Sequence, residues 1–149
     1  MSDKLKHALN LAGQGYRVFP LEPDGKVPLI AEWQHKATAD QKQVLAWWHI
    51  WPDANIGVAT GQGLVVLDAD CKDGKHGLDS LDMLDMLGLP ESLRVTTPTG
   101  GVHVDLTTDP DLKVPNSVDS LRDYPDVDVR GENGFVVGRG STIGEGVYT

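Results

Sequence analysis

The chain has 149 residues and a formal net charge of −9, with 40% hydrophobic and 23% charged residues. That balance suits one soluble domain, 1–149, with a real core, and its acidity argues against broad nonspecific nucleic-acid binding by this segment alone. No apolar run reaches the length of a membrane span, and residues 1–10 hold no signal-peptide h-region. A single cysteine, Cys71, excludes an internal disulfide and fits a reducing cytoplasm.

Ser2 is a candidate N-cap, and Leu5, Ala8, Leu9 and Ala12 make a helical stripe ended by Gly13 and Gly15. Residues 16–21 read as a strand and Pro23-Asp24-Gly25-Lys26 as a turn. Thr38 and Gln41 match a capping box, opening a helix with Val44, Trp47, Trp48 and Trp51 on one side, which Pro52 stops. At that spacing the tryptophans read as core more readily than as base-stacking groups. Residues 55–60 and 64–70 form two short strands around Gly61-Gln62-Gly63. Leu78, Leu81, Leu84 and Leu87 predict a third amphipathic helix, closed by Gly88 and Pro90.

The second half is strand-rich, at 94–98, 102–107, 127–130 and 135–138, with 112–125 the expected mobile loop. This order predicts an α+β domain with a mostly antiparallel or mixed sheet. The last four residues, Gly146-Val147-Tyr148-Thr149, read as the start of a strand, so the chain is expected to be a fragment of a longer protein.

The run Gly63-Leu64-Val65-Val66-Leu67-Asp68-Ala69-Asp70 is an apolar strand ending in two carboxylates spaced by one residue. Side chains alternate along a strand, so Asp68 and Asp70 are expected to leave one face side by side. Two anions so placed call for a positive partner, and Mg²⁺ or Mn²⁺ prefers such hard oxygen ligands. The spacing recurs at Asp109/Asp111 and Asp126/Asp128, so the bare motif is weak and the strand before it carries the signal.

Thr99-Gly100-Gly101-Val102-His103 offers paired glycines where backbone amides can meet phosphate, with Val102 and Val104 facing the core and His103 facing away. The alternative is a plain glycine hairpin followed by an incidental histidine. In Val127-Asp128-Val129-Arg130-Gly131 the valines point inward and Asp128 shares the other face with Arg130. That pair is either a surface ion pair or a metal ligand beside a phosphate-binding fork. Lys26 can reach a phosphate, although Gly25-Lys26-Val27-Pro28 does not fit the Walker pattern.

Together these pieces resemble the N-terminal domain of the bifunctional DNA primase–polymerases of plasmids and phages, within the archaeo-eukaryotic primase superfamily. The resemblance runs nearly end to end. It is carried by Val18-Phe19-Pro20-Leu21, Gly25-Lys26-Val27-Pro28, Trp33, Ala37-Thr38-Ala39-Asp40, Trp47-Trp48, Asn55-Ile56-Gly57, Leu67-Asp68-Ala69-Asp70, Thr99-Gly100-Gly101-Val102-His103, Val127-Asp128-Val129-Arg130-Gly131 and Gly140-Ser141. It implies an α/β N-terminal unit packed beside an RRM-like sheet, with the site between them. It also implies Asp68, Asp70 and Asp128 as catalytic metal ligands for Mg²⁺ or Mn²⁺. Gly100, Gly101, His103, Arg130, Ser141 and Lys26 are the expected nucleotide-binding residues. One departure is Asp105, which shares a face with His103 where the family commonly continues with aromatic or apolar residues. The cysteine set of the zinc-binding insertion found in some relatives is absent.

The expected activity is template-directed nucleotidyl transfer from (d)NTPs to a 3′-hydroxyl on a DNA template and primer. A helicase domain or other basic DNA-binding region, in this or a partner chain, is expected to supply the positive surface, with no membrane partner. Two rivals stand beside it: a noncatalytic nucleotide-binding replication module of the same fold, and an unrelated Asp-x-Asp metal-dependent transferase.

Overall fold

In the computed structural model, which describes residues 1–149, the Ser2 Oγ accepts the Leu5 N–H at 3.1 Å and opens α1 (Asp3–Gly13). The chain continues through β1 (Val18–Leu21), α2 (Trp33–Lys36), α3 (Gln41–Ile50), β2 (Asn55–Ala59), β3 (Leu64–Ala69), α4 (Gly77–Met86), β4 (Arg94–Thr96), β5 (Val102–Thr107), β6 (Val127–Arg130), β7 (Phe135–Val137), β8 (Thr142–Ile143) and β9 (Gly146–Val147). All named strand pairs are antiparallel, so the chain is an α+β protein. It divides into two compact units, Met1–Ala59 with Phe135–Thr149, and Thr60–Gly134.

The first unit holds the sheet β1-β2-β7 and the small ribbon β8-β9, with α1 and α3 packed on each other and on β1. Its core gathers Ala8, Leu11, Val18, Phe19, Leu21, Val44, Trp47, Trp48, Ile56 and Val58, all buried. Pro20 has no N–H to give, and β1 tolerates it as an edge strand while the Pro20 carbonyl accepts from Leu29. Opposite Phe19 stands Gly57, where an added Cβ would lie 2.5 Å from the ring. The ring also stacks on Trp33 at 4.9 Å, and α2, which bears Trp33, is a single turn that periodicity does not reveal.

Two expectations about helices are corrected. The N-cap of α3 is Asp40, whose Oδ1 accepts the Lys42 N–H at 3.0 Å, and Thr38 instead accepts from Asp40 at 3.0 Å. On α4, Leu81 is buried and Leu84 packs beside it, but Leu78 and Leu87 are exposed. Steps of three residues fall about 60° short of a full turn, so a stripe at strict threes winds off the apolar face.

The second unit is built on the sheet β4-β5-β3-β6. One face of it carries Val65, Leu67, Ala69, Val104, Val127 and Val129, packed with Leu81 of α4 as a closed apolar cluster. Alternation then sends Val66, Asp68, His103, Asp105, Asp128 and Arg130 to the opposite face. Turn formation ends β4 at Thr96, two residues short of the expected strand, and places Asp70 just beyond β3, one residue short.

Candidate active site

Register brings the polar residues together. Asp68 on β3 pairs with His103 on β5 on one side and with Asp128 on β6 on the other. Directly opposed side chains on adjacent strands sit about 5 Å apart at Cβ, and two like charges so placed repel. Arg130 relieves that repulsion. Its Nη2 lies 3.3 Å from Asp128 Oδ2 and 3.7 Å from Asp68 Oδ2, bridging both carboxylates. His103 Nε2 lies 3.4 Å from Asp68 Oδ1. The His103 side chain is 7% exposed, whereas those of Asp68, Asp128 and Arg130 keep about a quarter of their surface open.

Asp128 and Arg130 do share one face and touch, as alternation predicts. Their contact is half-buried and shared with Asp68, unlike a solvated surface pair. Asp105 pairs with Val66 across β5–β3 and lies on the same face as His103, as the spacing predicts.

Asp70 is drawn into a different set of bonds. Its Oδ1 accepts the Lys72 N–H at 2.9 Å and its Oδ2 lies 3.1 Å from Lys75 Nζ. The Lys72 N–H, aided by the Lys75 ammonium, holds the Asp70 carboxyl below its ordinary range, against partial burial and the nearby charge of Asp68. Lys75 is raised in turn, first by its bond to Asp70 and further by the charges of Asp126 and Asp128. Lys75 is thus a cation among site carboxylates that the sequence reading did not single out. The Asp73-Gly74 turn before it was the available signal, since both residues adopt positive φ there.

No three His, Cys, Asp or Glu side chains converge as a ready metal-binding group. The donor set nevertheless fits a hard divalent cation. Mg²⁺ is commonly held by one or two carboxylates completed by waters and substrate phosphates, and Asp68 with Asp128 offers such a pair.

The glycine turn has its own structural reasons. Gly100 adopts φ +87 and its N–H closes the turn on the Thr97 carbonyl at 2.9 Å. At Gly101 an added Cβ would lie 2.5 Å from the Ala69 carbonyl oxygen, so β5 enters beside β3 only with glycine there. Cys71 donates its thiol to the Thr99 carbonyl at 3.2 Å, bracing the same turn.

Lys26 and Ser141 belong to the first unit. Lys26 is exposed on its turn, and Asn55 Nδ2 anchors the neighbouring Gly25 carbonyl at 3.0 Å. Ser141 is fully buried, and its Oγ accepts the Ile56 N–H at 2.9 Å.

An antiparallel scaffold that sets carboxylates, an imidazole and a guanidinium in register can hold a hard cation and meet phosphate oxygens. The chain belongs to the bifunctional DNA primase/polymerase N-terminal family, whose model matches residues 8–149. No curated protein matches it. No helix is long and apolar enough to cross a membrane.

Proposed function

We propose that this chain is the catalytic domain of a DNA primase/polymerase serving plasmid or phage replication in the cytoplasm. It transfers nucleotides from (d)NTPs to a 3′-hydroxyl, directed by a DNA template. The observation that carries this reading is the register that seats Asp68 between His103 and Asp128, with Arg130 against both carboxylates. At the level of fold, the unit Thr60–Gly134 is read as the RRM-like sheet of the primase–polymerase core. Its strand order β6-β3-β5-β4, with α4 following β3, supports this: it follows the β-α-β-β-α-β course of such sheets except that no helix stands between β5 and β6.

Asp68 and Asp128 would hold Mg²⁺ or Mn²⁺, with Asp70 as a third ligand once it leaves Lys75. When bound, the metal supplies activation of the attacking hydroxyl and neutralisation of charge on the leaving pyrophosphate. The chain's own residues do the positioning. Arg130 turns its planar fork of donors from the carboxylates to the triphosphate, and His103, fixed by burial, donates from the same face. The Gly100–Gly101 turn lets phosphate approach the backbone, the Gly100 amide being available only when it releases Thr97. Lys26, an exposed cation on the turn of the first unit, is a nucleotide contact on the family resemblance alone. Ser141 contributes by bracing β2, since its hydroxyl is committed to Ile56. With a net charge of −9, the domain takes DNA with help from a helicase domain or other basic region.

Family membership removes an unrelated transferase from consideration. A noncatalytic nucleotide-binding module remains the second reading, favoured by the Lys75–Asp70 pair and by Asp105 beside the site. Purified chain given Mn²⁺, a primed template and dNTPs is expected to lengthen the primer stepwise and to stop when EDTA is added. Calorimetric dNTP binding with no extension, even with a basic DNA-binding partner added, would instead establish the noncatalytic module.

A further inference from the structure

Residues 112–126 form no helix and no named strand, yet part of this segment is firmly placed. Ser117 exchanges two backbone hydrogen bonds with Val129 of β6, at 2.8 and 3.0 Å, and Glu132 N–H donates to the Val114 carbonyl at 2.7 Å. Asn116 Oδ1 accepts from the Gly131 N–H at 3.3 Å. The fit is close enough that a Cβ on Gly131 would collide with the Val114 carbonyl, and one on Gly134 with the Asn116 amide. These bonds lay the segment along the outer edge of β6, where it caps an otherwise unpaired strand.

The segment then reaches the site. Asp119 adopts left-handed backbone, φ +51, and its N–H donates to Asp128 Oδ1 at 2.8 Å. Asp tolerates that conformation better than most residues do. The Ser117 and Ser120 hydroxyls, 2.8 Å apart, tie the two sides of the bend together. Asp128 is therefore held at one oxygen by fixed backbone and met at the other by the long side chain of Arg130.

We infer that residues 114–120 are a strap that positions Asp128, with the Asp119 N–H fixing its carboxylate so that Oδ2 is the oxygen offered to a cation. Asp119 is a positioning residue acting through Asp128, and this role rests on the reading of Asp128 as a metal ligand. Backbone hydrogen bonds of this kind orient ligating carboxylates, and their loss typically weakens metal binding about 10–100-fold.

The test uses the whole chain and Mn²⁺ alone. Amide exchange followed by NMR is expected to show the Asp119 N–H protected, with protection lost in Asp128→Ala and kept in Asp128→Asn. Calorimetry is expected to give Asp119→Gly the wild-type Mn²⁺ affinity, because glycine keeps both the N–H and the positive φ. Asp119→Val, which keeps the N–H but resists that φ, is expected to bind a few-fold more weakly. Asp119→Pro, with no N–H, is expected to bind about tenfold more weakly. Equal Mn²⁺ affinity in wild type, Asp119→Val and Asp119→Pro, alongside weakened binding in Asp128→Ala, overturns the strap and leaves the metal reading standing. Unchanged Mn²⁺ affinity in Asp128→Ala overturns both.

Discussion

Asp70 and Lys75 show how far residue types alone carry. The sequence places a second carboxylate two residues after Asp68, but β3 ends at Ala69, and the next turn commits Asp70 to the Lys72 N–H and to Lys75. That commitment has a pH consequence. The folded Asp70 is depressed below its ordinary value, so the unfolded chain binds more protons there, and stability rises with pH through that range. Its contribution is complete above the unfolded carboxylate pKa of about 3.9 and is lost as pH falls through the lower folded value. Asp70→Asn is therefore expected to flatten the acid limb of stability against pH, modestly because the pair is exposed. Denaturant melts between neutral pH and the acid transition check this, and an unchanged acid limb would contradict it. Asp119 was hidden for a related reason, since it works through its backbone N–H, which any non-proline residue owns.

At the scale of elements, strands were more legible than helix boundaries. The valines at 102, 104, 127 and 129 announce their own inward face, and the apolar cluster of the second unit confirms it. The polar face of the sheet followed from the same alternation, so His103, Asp128 and Arg130 were readable as neighbours in kind. Their register against Asp68 was not readable, because strand order depends on contacts far apart in sequence. Helix starts depend on one side chain reaching one amide, and there Thr38 and Asp40 competed. Asp40→Ala is expected to cost about 1 kcal/mol by removing the α3 N-cap, measured as the shift in thermal or denaturant unfolding. A stability unchanged in Asp40→Ala but lowered in Thr38→Ala would return the cap to Thr38.

For the whole molecule, the family assignment covers residues 8–149 and so takes in both units. The chain is acidic overall, yet the polar face of the β4-β5-β3-β6 sheet pairs its carboxylates with Arg130 and His103. We propose that a metal takes the place of Arg130 at Asp68 and Asp128, and that Arg130 then meets the triphosphate. The central claim is that Asp68 is the hub of that exchange. Its most direct test is the rate of Mn²⁺-dependent primer extension by wild type and by Asp68→Ala, with matched unfolding curves to show that both are folded. The expected result is extension by wild type and a loss of about a hundred- to a thousandfold in the variant, the scale at which groups holding transition-state charge act. Extension at the wild-type rate by a folded Asp68→Ala would contradict the account.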